Sequence, residues 1–392
     1  MKLKLLFAKI GFVMVLITMG VLSTSFFQPA DHPPAPDQDH QKSDEEPWET
    51  VVMEEEYNAG EKIIEHIIDS HEWHILDYKD SEGEKHHVSI PLPIILLHEG
   101  RLHAFWSSRF QHGHASYNGF KLETEGDHKG RIIRTLESDM IDSEAIVEKK
   151  SDELPVDLSI TKNATAIIIS SILLSILFIG IARRYQRRKY EAPKGVQSLL
   201  EPLILFVRDD IAKSSIGEEK YMKYMPYLLT LFFFIFFNNL LGLVPFFPGG
   251  ANVTGNIAVT GVMAFFTFLI ISFSGNKEYW KHIFNTPGVP WWLKVPVPLM
   301  PVIEIIGLFT KPFVLMVRLF ANITAGHIII LGFISLIFIF GNLDVTYGYG
   351  VSIVSVLFSL FMTLIELLVA FIQAYVFTLL SALYFGMTVE EH

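Results

Sequence analysis

PVIEIIGLFTKPFVLMVRLFANITAGHIIILGFISLIFIF, residues 301–340, is an apolar stretch with only a few ionisable side chains. A helix of this length rises about 60 Å, at about 1.5 Å per residue, whereas the hydrocarbon core of a bilayer is about 30 Å thick. Residues 350–388 form a second stretch of the same character. The pair predicts long membrane helices that either break, with Pro312 as one kink point, or lie tilted and project past the bilayer.

Three shorter apolar stretches precede this pair and also predict membrane helices, because each is close to the roughly 20 residues that cross a bilayer. They are residues 164–182, 224–245 and 257–274. Residues 195–213 combine apolar side chains with acids and bases, which is typical of an interfacial amphipathic helix rather than a span. The sequence therefore predicts an all-α polytopic membrane protein with about five membrane helices plus one interfacial helix, the last two membrane helices being long and tilted.

The part of the chain before these helices has a different composition. Residues 31–163 contain 30 of the 42 acids, 13 of the 31 bases and 12 of the 15 histidines. Residues 1–25 predict a signal peptide, with cleavage as late as residue 30, although a first membrane anchor is the alternative. Residues 26–60 predict a disordered acidic linker. Residues 61–163 predict a histidine-rich, outward-facing segment with a small β-rich or α+β fold.

The basic residues predict how the chain crosses the membrane. Arg183, Arg184 and three further bases directly follow the first membrane stretch. Basic residues concentrate on the cytoplasmic side of membrane helices. We therefore expect a multi-pass protein of the cell inner membrane, with residues 31–163 in the periplasm and the C-terminus in the cytoplasm.

Composition excludes several classes of function. The chain has no cysteine, which excludes thiol catalysis and thiolate metal sites. The phosphate-binding pattern GxxxxGK[ST] does not occur, and no sizeable basic face is available for nucleic acid. We expect no catalytic site of its own, no cofactor and no nucleic-acid partner.

Ionisable side chains inside the two long stretches are the strongest indication of function. Each costs at least about 2.5–3.5 kcal/mol at membrane depth and must face protein, water or another charge. Arg318 lies near the middle of its stretch, and no carboxylate lies one helical turn away. A buried ion pair with Glu366 that fixes helix packing is one interpretation. An ion pathway is the other, because His327 and Glu366 can both bind and release protons.

MVRLFANITAGH (316–327) and ELLVAFIQAYVFTLLSALYFGMTVEEH (366–392) closely resemble subunit a of the bacterial rotary F-type ATP synthases. The resemblance covers about residues 195–392, with weaker support over 164–194. It implies a stator-side proton channel of the Fo sector, which couples proton translocation through two half-channels to ring rotation and ATP synthesis. The implied partners are the c-subunit ring, the b subunits of the peripheral stalk, the F1 sector indirectly, and the lipid bilayer.

The resemblance also assigns roles to individual side chains. Arg318 corresponds to the essential cation that faces the c-ring carboxylate and separates the half-channels. Glu304 is placed in the inward half-channel, and Asn239 is a possible polar lining. The outward half-channel is expected to contain four residues: Asn322, His327, Glu366 and Gln373. In many relatives the histidine and the carboxylate occupy exchanged positions, and an acid often stands where this chain has Gly242.

Two other classes of function are considered. A secondary transporter is expected to contain inverted repeats, and no convincing internal repeat is found. A membrane-anchored periplasmic metal- or ligand-binding protein is suggested by three histidine groups, but none has a known zinc-site spacing, so we expect no metal. These groups are His71-Glu72-Trp73-His74, His86-His87 and His112-Gly113-His114.

Overall fold

The computed structural model describes eight segments of the chain: residues 58–79, 85–124, 128–136, 149–151, 154–187, 192–244, 246–284 and 299–389. The predicted signal peptide lies outside the described residues, as does almost all of the predicted linker. The linker boundary at residue 60 is wrong by two residues. Asn58 caps a helix that begins at Ala59, because its side chain accepts a hydrogen bond from the Glu61 backbone N–H at 3.2 Å.

The described residues of 58–158, here called the N-terminal domain, combine one helix with short antiparallel strands. The helix is α1, Ala59–Ile67. The strands are β1 (Glu72–Lys79), β2 (Lys85–Pro91), β3 (Pro93–His98), β4 (Arg101–Trp106), β5 (Ser116–Tyr117), β6 (Phe120–Leu122), β7 (Ile132–Leu136), β8 (Lys149–Ser151) and β9 (Val156–Asp157).

These strands form three small sheets, ordered β1-β2, β4-β3-β9 and β5-β6-β7-β8. Strand β3 alternates buried and more accessible side chains, so Ile94 and Leu96 point into the core of the domain. Phe110, Phe120 and Ile132 complete that core. A small β-containing region therefore precedes the membrane helices, as the composition predicts.

The described residues from 162 onward are mostly helical. Their elements are α2 (Lys162–Arg187), α3 (Val196–Phe206), α4 (Tyr221–Leu243), α5 (Ile257–Ser274), α6 (Lys277–Phe284), α7 (Leu299–Leu343) and α8 (Val345–Val389). Within the described residues, five helices are long and apolar enough to cross a membrane: α2, α4, α5, α7 and α8. The protein is a mostly helical polytopic membrane protein.

Helix α3 occupies the region predicted to be an interfacial helix. It continues through a π-helical turn, Val207–Lys213, into a short last helix, Ser214–Ile216. This end lies close to α8: a Cβ added to Gly386 would be 2.0 Å from the Ser215 carbonyl oxygen. The helical region therefore ends at Ile216, three residues beyond the predicted boundary, where Gly217 has a positive φ of 92°.

Helices α7 and α8 each contain 45 residues and form an antiparallel hairpin joined by Asp344 alone. The sequence predicted a connection of residues 341–349, whereas in the structure all of these residues except Asp344 belong to the two helices. Asp344 donates its backbone N–H to the Phe340 carbonyl at 3.1 Å and accepts one from the Thr346 N–H through its side chain at 2.7 Å. One residue thus ends α7 and caps α8. Helix α7 continues past Pro312, so of the two alternatives the structure has the unbroken helix.

The hairpin has a consistent register along its length. Phe333 stacks on Phe358 with ring centroids 5.4 Å apart. Further from the connection, the Lys311 ammonium lies 5.3 Å from the centre of the Tyr384 ring. Between these contacts, Gly326 faces Glu366. This register brings the polar residues of α7 opposite those of α8.

The N-terminal domain packs directly on the membrane helices. Helix α1 lies against α7. Trp73 is 3% exposed and belongs to the same buried cluster as the membrane helices. Its ring meets Phe247, in the connection between α4 and α5, edge-on with centroids 5.1 Å apart. The domain is therefore anchored to α7 and to the α4–α5 connection.

Candidate functional site

A cavity of about 400 Å³ lies between α7 and α8. Arg318, Asn322 and Gly326 reach it from α7 because a spacing of four residues keeps side chains on one helical face. Glu366 and Gln373 reach it from α8, two turns apart. The structure thus brings together four of the predicted site residues, with His327 directly beside them.

His327 and Glu366 form a close pair at one end of this cavity. His327 Nδ1 lies 2.7 Å from Glu366 Oε1 and 3.1 Å from the Ile323 carbonyl oxygen. The N–H direction favours the carbonyl, so neither carboxylate oxygen receives a directed hydrogen bond from the described residues. Glu366 is only 4% exposed. The carboxylate is thus largely removed from water and lies against the ring of one histidine.

Gly326 makes the approach of Glu366 possible. A Cβ at this position would be 2.8 Å from Glu366 Oε1, a separation too short for any larger residue without movement. The sequence analysis did not identify Gly326. The available indication was a glycine in the interior of a helix, which costs about 1 kcal/mol relative to alanine and often has a packing reason.

Arg318 is exposed and faces the cavity without a carboxylate partner in the described part of the chain. The alternative interpretation, an ion pair between Arg318 and Glu366, is wrong because His327 occupies the position beside that carboxylate. The guanidinium remains protonated at any accessible pH. Its charge is therefore available to a group outside this chain.

Asn322 and Gln373 supply the amides of the site. Asn322 is exposed and lies one turn after Arg318, whereas Gln373 is buried on the facing helix. Both line the cavity that contains Arg318 and Glu366. An amide offers both a donor and an acceptor, so either side chain can orient a proton carrier between the charged groups.

Two predicted site residues lie elsewhere. Glu304 is fourteen residues before Arg318, about 21 Å along the helix, and does not line the cavity. It lies near Tyr279, whose pKa is raised by burial and by the Glu304 charge. Asn239 is buried in α4 and accepts a hydrogen bond from Thr254, while its Nδ2 has no partner among the described residues.

Gly242 lies beside the histidine of the site. A Cβ added to Gly242 would be 3.8 Å from two atoms of the His327 ring. An acid at position 242 would therefore point at the same histidine. The structure places three positions, 242, 327 and 366, around one point.

Histidines of the N-terminal domain are mostly engaged in local pairs. His71 Nε2 lies 2.7 Å from Asp157 Oδ2, and His112 Nδ1 lies 2.7 Å from Glu72 Oε2. Among the described residues, no group of three or more histidines and acids is placed to hold a metal ion. The side chains of His86 and His87 lie outside the description. That the domain binds no metal stays a prediction.

Comparison with known proteins gives two family matches. Residues 164–386 match the family described as ATP synthase A chain. Residues 62–158, nearly the whole N-terminal domain, match a domain of unknown function (DUF8433). The two matches divide the chain where the β-containing region meets the first long helix.

Individual relatives give the same result. The chain is 46% identical to ATP synthase subunit a of Chloroherpeton thalassium over 245 residues, covering 60% of this chain and 69% of the relative. It is 43% identical to that of Chlorobium phaeobacteroides (strain BS1) over 279 residues, covering 67% and 78%. It is 41% identical to ATP synthase subunit a 2 of Prosthecochloris aestuarii over 309 residues, covering 76% and 90%.

Proposed function

Since the chain belongs to the ATP synthase subunit a family, and is thus an ion-transport subunit of that membrane complex, we propose that it is the stator-side proton channel of the Fo sector. The observation that carries this proposal is the placement of Arg318, without a carboxylate partner in the described chain, in one cavity with Glu366. The chain passes protons to and from the c-ring carboxylates, and it has no catalytic site of its own.

The outward half-channel contains His327, Glu366, Asn322 and Gln373. A proton arriving at the His327–Glu366 pair binds to the ring nitrogen or to the carboxylate, which lie 2.7 Å apart. Because the two groups are in contact and neither Glu366 oxygen receives a directed hydrogen bond from the described residues, the proton can move between them and onward into the cavity. The two amides orient its transfer toward the ring carboxylate.

Arg318 stabilises the ring carboxylate as an anion when it passes, so that its proton has left before it reaches the arginine. At an effective dielectric constant of about 20, an ion pair at about 4 Å is worth about 4 kcal/mol, which favours ionisation without trapping the ring. As a fixed positive charge, Arg318 also stops protons from passing directly between the half-channels.

The inward half-channel lies on the side of Glu304. About 21 Å of helix separates Glu304 from Arg318, in the direction away from His327. This separation suits two aqueous paths that reach the arginine from opposite sides. Asn239, buried near the end of α4, belongs to the polar lining on the His327 side.

The long hairpin provides the surface for the c-subunit ring. Each helix is about 67 Å long, more than twice the hydrocarbon core, so the pair crosses the bilayer steeply tilted. Helix α8 exposes many large apolar side chains, which suit contact with the ring and with lipid: Ile353, Leu357, Leu360, Phe361, Leu364 and Leu368. The b subunits of the peripheral stalk hold the chain in place, and the F1 sector acts on it indirectly.

The orientation follows from the same elements. Arg183, Arg184 and Arg187 end α2 and are expected in the cytoplasm. The N-terminal domain precedes α2 and packs near His327, so it lies on the opposite, periplasmic side of the inner membrane. Helix α8 then runs inward, and the C-terminus is cytoplasmic.

Removal of the Arg318 charge tests the proposal. We expect Arg318→Ala to lower ATP-driven acidification of inverted membrane vesicles at least tenfold, because the ring carboxylate loses its stabilising cation. Arg184→Ala, which removes an exposed charge at the end of α2, is the matched control and should pump normally. Assembly is checked by immunoblot. Normal pumping by an assembled Arg318→Ala complex contradicts the proposal.

A further inference from the structure

The N-terminal domain is fixed to the membrane helices at the level of the proton site. Backbone and side-chain bonds join the segment after α1 to the first turn of α2. The Lys162 N–H donates to the Ser70 carbonyl at 2.9 Å, and the Asn163 N–H donates to Asp69 Oδ1 at 2.9 Å. Helix α1 also packs on α7, the helix that carries His327. The domain therefore has little freedom to move away from α7.

Lys162 holds the end of α1 in place. It is 7% exposed, and its Nζ donates to the backbone carbonyl of His66 at 3.2 Å. That carbonyl is in the last turn of α1, where the free carbonyl groups of a helix attract a cation. The position of His66 is consequently set by a buried lysine of a membrane helix.

The side chain of His66 is accessible to solvent. Partial burial of the ring, together with the charges of Lys162, His327 and His74, lowers the pKa of His66 to about 4. These three side chains come from α2, α7 and β1, the elements that face the imidazole ring of His66. His66 is thus a neutral imidazole at neutral pH, and a proton on His66 is repelled by a proton on His327.

We propose, on the premise of the proton-channel function above, that the N-terminal domain forms the mouth of the outward half-channel and that His66 passes protons between the periplasm and His327. A neutral imidazole accepts a proton at one ring nitrogen and releases another from the second nitrogen. A charged His327 repels a proton on His66, so one proton moves at a time. The N-terminal domain therefore takes part in proton conduction.

Cysteine labelling tests this placement, because the chain has no cysteine of its own. Spheroplasts that carry His66→Cys are treated with a membrane-impermeant methanethiosulfonate bearing a trimethylammonium group. Inverted vesicles are then prepared, and ATP-driven acidification is measured. His66→Cys lacks the imidazole and should already pump less than wild type. Since the reagent adds bulk and a fixed charge at the mouth, we expect labelling to lower this remaining activity at least about threefold further.

His114→Cys is the matched control. His114 is an exposed histidine of the same domain with no resolved interaction with the membrane site. It should be labelled equally well with no loss of pumping. Wild-type membranes treated with the reagent give the background from other subunits. Stoichiometric labelling of His66→Cys with unchanged pumping overturns the proposal, and so does failure of the reagent to reach this position.

The proton-transfer role of His66 is tested separately with His66→Ala. Pumping should fall about tenfold, the lower range for a lost proton-transfer group, and periplasmic imidazole should restore part of it. A purely structural role predicts no rescue. If Arg318→Ala pumps normally, the channel function itself fails. If Arg318→Ala is inactive but His66→Ala equals wild type, only the role of His66 fails.

Discussion

Two histidine–carboxylate pairs in this chain have the same separation but different surroundings. His327 and Glu366 lie 2.7 Å apart in the membrane hairpin, and His71 and Asp157 lie 2.7 Å apart in the N-terminal domain. Both Asp157 oxygens are engaged, one by the His71 ring and one by the Ser159 N–H at 2.8 Å. Neither Glu366 oxygen receives a directed hydrogen bond from the described residues.

The difference separates a pair that stabilises a fold from one that can exchange protons. The satisfied pair joins β9 to the start of β1 and stabilises the N-terminal domain. The unsatisfied pair borders a cavity of about 400 Å³, and its carboxylate is almost fully buried. Distance alone therefore does not identify a functional pair, whereas the remaining hydrogen-bonding capacity does.

The largest expected difference between the two pairs appears when the carboxylate of each pair is neutralised in turn. Glu366→Gln should reduce ATP-driven pumping at least tenfold while assembly is maintained, because an amide cannot take up a proton at this position. Asp157→Asn, the matched control, should leave pumping within about twofold, because its pair lies in the fold and not in the proton path. Both are measured in inverted vesicles with immunoblots for assembly.

The distinction between the two histidine–carboxylate pairs is contradicted if Glu366→Gln and Asp157→Asn have the same effect on pumping. Equal loss of pumping and of membrane insertion in Glu366→Gln would make that carboxylate structural. A pumping defect in well-assembled Asp157→Asn would place the second pair in the proton path as well.

A smaller effect is expected from closing the space beside Glu366. Gly326→Ala puts a methyl group 2.8 Å from Glu366 Oε1, so the carboxylate must move away from His327. We expect a loss of pumping of about three- to tenfold. Gly332→Ala is the control, because a Cβ there has no neighbour within 4 Å and it carries the same substitution in the same helix. A harmless Gly326→Ala would show that the close approach is not needed.

The smallest effect concerns the pH dependence of the N-terminal domain. Burial lowers the pKa of His71, but the hydrogen bond and charge of Asp157, aided by Asp69 and Glu72, outweigh it and raise the pKa above 6.5. Burial raises the pKa of Asp157, but the hydrogen bond and charge of His71 outweigh it and lower the pKa below 3.8.

These shifts define a pH window. The contribution of His71 is complete below about 6.5 and is lost as pH rises through its raised folded pKa. The contribution of Asp157 is present above about 3.8 and is lost as pH falls through its lowered folded pKa. Hydrogen exchange of β9 in the assembled complex should show that His71→Ala loses more protection at pH 6 than at pH 9. A loss independent of pH would contradict the charged pair.

The membrane helices could be predicted from the sequence because a helix that crosses a bilayer must be apolar over a length that matches the hydrocarbon core. The sequence analysis left residues 341–349 between the two long apolar stretches. The structure closes the turn at Asp344 alone. The short turn depends on Asp344, which ends one helix and caps the next. The length of an apolar stretch does not indicate such a cap.

Within the site, spacings of four and seven residues place Arg318 with Asn322 on one face of α7 and Glu366 with Gln373 on one face of α8. Which group of one helix meets which group of the other depends on the register between helices. The approach of Glu366 to His327 across Gly326 is such a tertiary contact. The packing of α1 on α7, which brings His66 near His327, also lies beyond the periodicity of either segment.

The single-residue connection at Asp344 also constrains how the chain is made. Because one residue joins the two helices, they lie side by side from the turn onward, and we expect them to enter the bilayer as one hairpin. His327 and Glu366 then meet during insertion, before either faces lipid alone at a cost of at least about 2.5–3.5 kcal/mol for a charged group. The geometry of one turn thereby protects the proton site from the lipid during biogenesis.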